Sequence, residues 1–190
     1  EDPGLASVEL QSATLIRSDS ARIRGRVISI GNDEPAITFY YGTSDAGLDK
    51  QGWERSVTLP GKYSTSFSAQ LNSLEPGTEY FFRALASNSS GESWSSDSLS
   101  FKTIVAPPSI VNLAVSGIDA TSVTLGSQVT VTGGEDPEVI IYYGRSDGGK
   151  VPAGWELSKN LGSQSGAAEV SVSGLLQNTQ YFFRAFAQNS

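Results

Sequence analysis

The stretch LEPGTEYFFRALASNSSGESW, residues 74–94, decides the fold of this 190-residue chain. From Tyr80 onward every second residue is apolar, while the residues between them include the charged Arg83. This alternation is typical of a β-strand that has one face in a core. The strand occurs twice, because YFFRALASNS at 80–89 returns almost unchanged as YFFRAFAQNS at 181–190.

The repeat extends well beyond that strand. ITFYYGTSDAG at 37–47 returns as VIIYYGRSDGG at 139–149, and GWERS at 52–56 returns as GWELS at 154–158. The copies lie about 100 residues apart, which is the length of a whole domain rather than of a solenoid repeat.

We therefore predict two domains of one kind, at residues 1–105 and 106–190. Pro107 and Pro108 mark the join, because proline cannot donate to a strand ladder and ends the preceding strand.

Short strands separated by turns fill both domains, and no window has the 3.6-residue period of a helix. In domain one the predicted strands lie near 7–16, 21–30, 36–42, 53–59, 64–71, 78–88 and 97–104. In domain two they lie near 111–117, 122–132, 138–144, 154–161, 167–173 and 179–188. The sequence therefore predicts an all-β chain.

The turn before the repeated strand resembles that of fibronectin type III domains, which belong to the immunoglobulin-like β-sandwiches. The matching residues are Leu74, Pro76, Gly77, Thr78 and Tyr80, with Leu175, Asn178, Thr179 and Tyr181 in the second copy. The resemblance implies two seven-stranded sandwiches in tandem, with Tyr80 and Tyr181 as tyrosine corners. The YYG, SD and GW motifs are similar to variants of this domain in large bacterial secreted or cell-surface proteins. An extracellular or cell-surface location is therefore expected.

The second copy contains only six of the seven strands. Without the last one, the strand QYFFRAFAQ has an unpaired edge. One hypothesis is that the chain was cut before this strand. The other is that a different chain donates the strand by β-augmentation.

Composition excludes several classes of function. The net charge of −7 repels nucleic acid, and no apolar run is long enough to insert into a membrane. The chain has no Cys and no His, which removes thiolate nucleophiles, Cys/His zinc sites and His-dependent triads. Its adjacent carboxylates lie on single loops rather than across a cleft, so no enzyme activity is expected.

An aromatic strip is predicted on the outer face of each domain, and we call it the outer strip. In domain one it comprises Tyr40, Phe81 and Arg83, and in domain two Tyr142, Phe182 and Arg184. Such a strip could stack on sugar rings or bind a protein partner. The structural interpretation is that Trp53 and Trp155, from the loops after the YYG motifs, cover the strips as satellite cores.

Acidic turns are the candidate metal ligands. GNDEP at 31–35 and GGEDP at 133–137 occupy the same loop of each domain, and Asp45 lies in TSDAG. We expect Asp45 to approach Glu135 and Asp136 at the join, where carboxylate oxygens could hold calcium. The alternative is ordinary Asx turns, since Asp before Gly is common turn chemistry. No other cofactor is predicted.

Together these features predict a non-enzymatic extracellular module, with spacer, adhesion or assembly roles in a larger surface protein. Its partners would then be other domains of that protein, and a strand donor for domain two. The alternative is an accessory module of a secreted enzyme that binds carbohydrate or protein through the outer strips.

Overall fold

The computed structural model describes residues 4–190 and confirms the all-β prediction. Tertiary contacts divide the chain into two compact units, unit 1 at Glu1–Ile104 and unit 2 at Val105–Ser190. Each unit contains two antiparallel sheets and is a β-sandwich. Within residues 4–190, no helix has the length and apolar character needed to cross a lipid bilayer.

Over its described residues, 4–104, unit 1 contains eight strands in two sheets. They are β1 (Ser7–Thr14), β2 (Ala21–Ser29), β3 (Ala36–Gly42), β4 (Arg55–Thr58), β5 (Ser66–Leu71), β6 (Glu79–Asn88), β7 (Gly91–Trp94) and β8 (Leu99–Lys102). One sheet has the order β1-β2-β5, and the other has the order β4-β3-β6-β7, with β8 also paired to β6. The two short strands share one edge of β6, with Trp94 opposite Leu85 and Leu99 opposite Phe82.

Alternating side chains from both sheets form the core of unit 1. In β5, for example, Phe67, Ala69 and Leu71 are buried while the residues between them are exposed. Phe39 and Phe82, from the opposite sheet, are fully buried, and the ring centroid of Phe39 lies 5.4 Å from that of Phe67. The core is thus built around aromatic side chains that interdigitate between the sheets.

Gly25, in the middle of β2, allows this packing. A Cβ atom there would lie 2.6 Å from the Glu9 carbonyl oxygen and 2.6 Å from the Phe67 ring. Only glycine fits such a close approach between a strand and a core aromatic.

Unit 2 contains six strands and a short 3-10 helix, Pro152–Gly154. The strands are β9 (Ser109–Asn112), β10 (Ser122–Val131), β11 (Glu138–Gly144), β12 (Leu157–Ser163), β13 (Ala167–Ser173) and β14 (Phe182–Gln188). The sheets have the orders β13-β10-β9 and β12-β11-β14. The main buried cluster is smaller than that of unit 1 and consists of Leu125, Ile141, Tyr143, Val172 and Ala185.

One edge of β14 is open. β14 pairs with β11 on one side, and on its other side no strand among residues 4–190 pairs with it. The equivalent side of β6 in unit 1 is covered by β7 and β8. Residues 105–190 therefore contain no counterpart of β7 and β8, and the edge of β14 is unpaired among them, as the sequence predicts.

The strand boundaries differ from the prediction in three places. The strand predicted near 97–104 is β8, whereas β7 was not predicted; the two are separated by a bend at Ser96 and Asp97. β9 ends at Asn112, and only an isolated bridge between Ser116 and Thr124 continues it. β12 begins at Leu157, because the 3-10 helix occupies the preceding residues.

Candidate functional site

The outer strip of unit 1 is covered by its own chain. Tyr40 and Arg83 lie directly opposite each other on β3 and β6, and Phe81 lies two residues before Arg83; all three are half-buried. Trp94 of β7 packs on Tyr40, with ring centroids 5.1 Å apart. The aromatic face that the sequence offers for binding is thus partly a satellite core.

Arg83 holds the bend between β7 and β8. Its guanidinium donates to the Ser95 carbonyl from Nε at 3.1 Å and from Nη2 at 2.8 Å, and to the Ser96 carbonyl at 2.5 Å. A planar guanidinium suits such multiple contacts. In unit 1 this side chain is therefore engaged in holding the last strand to the sheet.

The two loop tryptophans occupy matching places. Trp53 is buried, and its indole Nε1–H donates to the Gly47 carbonyl at 3.2 Å. Trp155 is half-buried and donates to the Gly149 carbonyl at the same distance. In unit 1 the same loop also carries Lys50, whose ammonium contacts Glu92 of β7 at 2.5 Å; this hydrogen bond raises the pKa of Lys50.

Asp45, a candidate calcium ligand, belongs to a turn within unit 1. Its Oδ1 accepts from the Gly47 N–H at 2.9 Å and from the Ser98 hydroxyl at 2.8 Å. Asp147 accepts from the Gly149 N–H at 2.8 Å in the same way. Both arrangements are Asx turns followed by a left-handed glycine.

The other two candidate ligands lie in unit 2. Glu135 is half-buried and accepts from the Ser190 N–H at 2.5 Å, while Asp136 is exposed. Among residues 4–190 no three His, Cys, Asp or Glu side chains come together as a metal-binding group.

The first acidic turn stabilises unit 1 through Asp33. Its carboxylate accepts from the Lys62 ammonium at 2.7 Å, from the Ser89 N–H at 2.9 Å, and from the Ser89 hydroxyl. The bond from Lys62 is the largest of the effects that hold the pKa of Asp33 far below its usual range. The ionised carboxylate is therefore favoured in the folded state.

We expect acid to weaken unit 1 through this group. A carboxyl with a depressed folded pKa contributes stability above its unfolded pKa of about 3.9, and the contribution is lost as the pH falls below that value. Asp33→Asn should lower the free energy of unfolding of unit 1 at about pH 7. Below about pH 4, the free energy of unfolding of this variant should fall less steeply with pH than that of the wild type. Urea unfolding across this range measures the effect, with Glu34→Gln as the control in the same turn. Parallel curves for wild type and Asp33→Asn would contradict it.

The tyrosine hydroxyls close the turns before β6 and β14. Tyr80 Oη accepts from the Glu75 N–H at 3.0 Å, and Tyr181 Oη accepts from the Leu176 N–H at 3.1 Å. One residue in each turn has a left-handed φ. It is Gly77 in unit 1, with φ at 61°, and Asn178 in unit 2, with φ at 51°. This matches the Asn-for-Gly exchange in the sequence, since Asn tolerates that conformation.

Tyr80→Phe should destabilise unit 1 more than Tyr181→Phe destabilises unit 2. Tyr80 is buried, so removal of its hydroxyl leaves the partly buried Glu75 N–H without a hydrogen-bond partner. The expected cost is about 1–2 kcal/mol of stability. Tyr181 is only half-buried, and water can replace its hydroxyl. Urea unfolding of both variants measures the difference; equal losses would contradict the assignment.

In unit 2 the outer strip borders an open groove of about 540 Å³. Tyr142 and Arg184 lie opposite each other on β11 and β14, and Tyr142 meets Phe186 edge to face at 6.4 Å. Trp155 lines the same groove. Phe182, the third residue of the predicted strip, is exposed and instead lines a second cavity.

The second cavity lies at the start of β14 and has a volume of about 710 Å³. Leu125 and Tyr143 of the core line it, together with Tyr181 and Phe183. The equivalent place in unit 1 is filled by Phe101 of β8, which stacks on Tyr80 at 5.8 Å.

Two important residues were not predicted. Trp94 was not recognised as the residue that covers Tyr40, although an aromatic residue directly after the repeated strand was the available signal. Asn112, whose side chain binds the open edge of β14, has no sequence signal, because a single Asn in a short strand is not distinctive.

No protein-family model and no curated protein matches this chain. Among solved structures, it is similar to the sensor domain of the anti-sigma factor RsgI4 in Pseudobacteroides cellulosolvens. The identity is 22%, the match covers 52% of this chain and 94% of that one, and the TM-score is 0.37. At that score the likeness carries no argument about function.

Proposed function

We propose that the protein is a non-enzymatic tandem of fibronectin type III-like sandwiches, and that it serves as a structural spacer or assembly module of a larger extracellular or cell-surface protein. This proposal is supported by the hydrogen bonds of the side chains that could otherwise bind a metal or a ligand. In unit 1, Asp33, Asp45 and Arg83 are all engaged in hydrogen bonds that hold turns and strands. The loop after the YYG motif has the same structure in both units. In each unit an Asx turn and a hydrogen bond from a tryptophan N–H stabilise this loop.

The alternative, carbohydrate or protein binding through the outer strips, has unequal support in the two units. In unit 1, Trp94 covers Tyr40, and Arg83 is bound to backbone carbonyls. We do not propose a binding site there. In unit 2 the equivalent strip borders an open groove, so of the two outer strips this is the one that a ligand could reach.

Single-molecule stretching tests the spacer function. Two units that fold separately should give two unfolding events, each releasing about 30 nm of chain at roughly 3.4 Å per extended residue. The less aromatic unit 2 is expected to unfold at the lower force, since its buried cluster is smaller. A single event that releases the whole chain would contradict a tandem of independent spacers.

A further inference from the structure

Three arginines form a row on the outer face of the β1-β2-β5 sheet in unit 1, and we call them the arginine row. Arg22, Arg24 and Arg26 are exposed and alternate along β2 with residues that are buried. Because successive side chains of a strand point to opposite faces, the three guanidinium groups lie on the face away from the core. Neighbouring arginines are about 7 Å apart along the strand, at about 3.4 Å per residue.

The strands on either side of β2 bring little negative charge to the arginine row. On the β5 side the three arginines lie opposite neutral residues, which are Gln70, Ser68 and Ser66. On the β1 side, Glu9 lies opposite Arg26 and forms an ion pair with it, with 2.8 Å between Oε2 and Nη2. Since the whole chain has a net charge of −7, this face is a local exception to the charge of the protein.

Two of the three guanidinium groups keep donors that a ligand could use. Within residues 4–190, Arg24 donates from Nε alone, to the Ser12 carbonyl at 3.0 Å. Over the same residues Arg22 forms no hydrogen bond and no ion pair. The bond to Ser12 therefore positions Arg24, while the Nη groups of both arginines stay available for an anion.

Unit 2 shows that the sheet forms without an arginine row. β10 corresponds to β2, because each is the central strand of its three-stranded sheet. The spacing of the YYG motifs along the chain aligns the three arginines with Thr124, Gly126 and Gln128. Arg24 lies opposite Ser68, whereas Gly126 lies opposite Glu169, so the charge at this place is reversed. Formation of the sheet therefore does not require the arginines.

An open groove of about 420 Å³ lies beside Arg22 and Arg24. The polar side chains that line it come from all three strands of the sheet, and they are Arg22, Arg24, Gln11, Thr14, Ser66 and Ser68. Two guanidinium groups are thus surrounded by hydroxyl and amide groups. A guanidinium can bind a carboxylate through two parallel hydrogen bonds, and hydroxyl and amide groups can bind the hydroxyls of a sugar.

The lining of this groove favours an acidic polysaccharide over a protein or a nucleic acid. Protein interfaces are built around aromatic and aliphatic anchors, whereas the aromatic residues of the groove, Tyr63 and Phe67, pack on the core of unit 1. Duplex DNA carries a charge about every 1.7 Å, and a protein with a net charge of −7 repels so dense a polyanion. A polysaccharide of uronic acids has one carboxylate on each sugar, and hydroxyls between the carboxylates.

We infer that the arginine row of unit 1 binds a linear acidic polysaccharide whose sugars carry carboxylates. Arg22 and Arg24 bind carboxylates of the sugar chain through their free N–H groups, and the neutral polar side chains of the groove bind its hydroxyls. Arg26 contributes less, because Glu9 already neutralises it. This site goes beyond the proposed spacer function and lies on the other sheet from the outer strip, so its test can fail without affecting that proposal.

Titration of the 190-residue chain with a galacturonate oligosaccharide, followed by amide NMR signals, tests the site. Saturable shifts are expected at β2 and at the facing residues of β1 and β5. A neutral dextran oligosaccharide of the same length should cause none, because it offers no carboxylate to the guanidinium groups. Equal shifts with both sugars, or none with galacturonate, would overturn the proposal.

Matched variants locate the site. Arg22→Gln and Arg24→Gln should each weaken galacturonate binding about tenfold, since hydrogen bonds to a charged group are lost. Arg55→Gln removes the same charge from β4, in the other sheet, and should leave binding unchanged. Glu9→Gln should tighten binding about threefold, because it frees Arg26 from a surface ion pair. Equal affinities of wild type and Arg24→Gln, or an equal loss in Arg55→Gln, would contradict the inference.

Other polyanions provide the last arm of the test. A polyglutamate peptide that binds the arginine row more tightly than galacturonate would assign this face to an acidic polypeptide, and a single-stranded oligonucleotide that did so would assign it to nucleic acid. Binding of a sulfated dextran without binding of galacturonate would assign it to sulfate groups. Each of these results would overturn the inference, whereas tighter binding of galacturonate than of all three supports it.

Discussion

Phe82→Ala is expected to destabilise unit 1 by about 3–5 kcal/mol, as truncation of a fully buried core aromatic does. The Phe82 side chain is fully buried between the sheets, with Phe39 at 6.3 Å and Phe101 at 6.1 Å. Close packing on every side leaves a cavity that the surroundings cannot fill. Urea unfolding followed by amide NMR signals separates the two units and measures the loss.

Phe183→Ala is the matched control, because Phe183 holds the same place in the repeated strand. It is half-buried and lines the cavity at the start of β14. Its removal should cost unit 2 at most about 2 kcal/mol, since less packing is lost. Equal losses for the two variants would show that the core around Phe82 is not closed by β8.

Ile141→Ala is expected to unfold unit 2 while unit 1 stays folded. Ile141 is fully buried in the cluster that includes Leu125 and Tyr143, and it stands where unit 1 has Phe39. The expected loss of about 2–5 kcal/mol is a large fraction of the stability of a small domain. The Trp155 environment and the amide signals of unit 2 should report the unfolding.

Ile140→Ala provides the control for that experiment. Ile140 is the neighbouring residue of β11 and is only half-buried, on the other side of the strand. It should cost less than about 1 kcal/mol. If Ile141→Ala unfolded both units together, the two sandwiches would not be independent.

Much of the fold could be predicted because the repeat itself identified the strands. The alternation in YFFRALASNS places Tyr80 and Phe82 inward, and both are buried. The open edge could also be predicted, since only the first of the two copies continues into a further strand. These features depend on local period and order, which the sequence records directly.

The candidate site was less predictable, because it depends on contacts between distant segments. Nothing in the sequence around Arg83 indicates that its guanidinium would bind the carbonyls of Ser95 and Ser96. Leu85 lies two residues after Arg83 on the same face of β6, and it is buried there opposite Trp94, a contact that the local sequence does not indicate. The hydrogen bond of Asn112 to the Phe183 carbonyl joins residues 71 positions apart, so the sequence around Asn112 gives no sign of it.

Hydrogen exchange along the repeated strand tests most directly the central claim, that one sandwich occurs twice, closed in unit 1 and open along β14 in unit 2. The amides to compare are those of Phe82 and Ala86 with those of Phe183 and Ala187. In unit 1 these face β7 and β8, and we expect them to exchange only when the whole unit unfolds. In unit 2 they face the open edge and should exchange much faster than amides of β14 that face β11. Equal protection of the two pairs in the free chain would contradict the account.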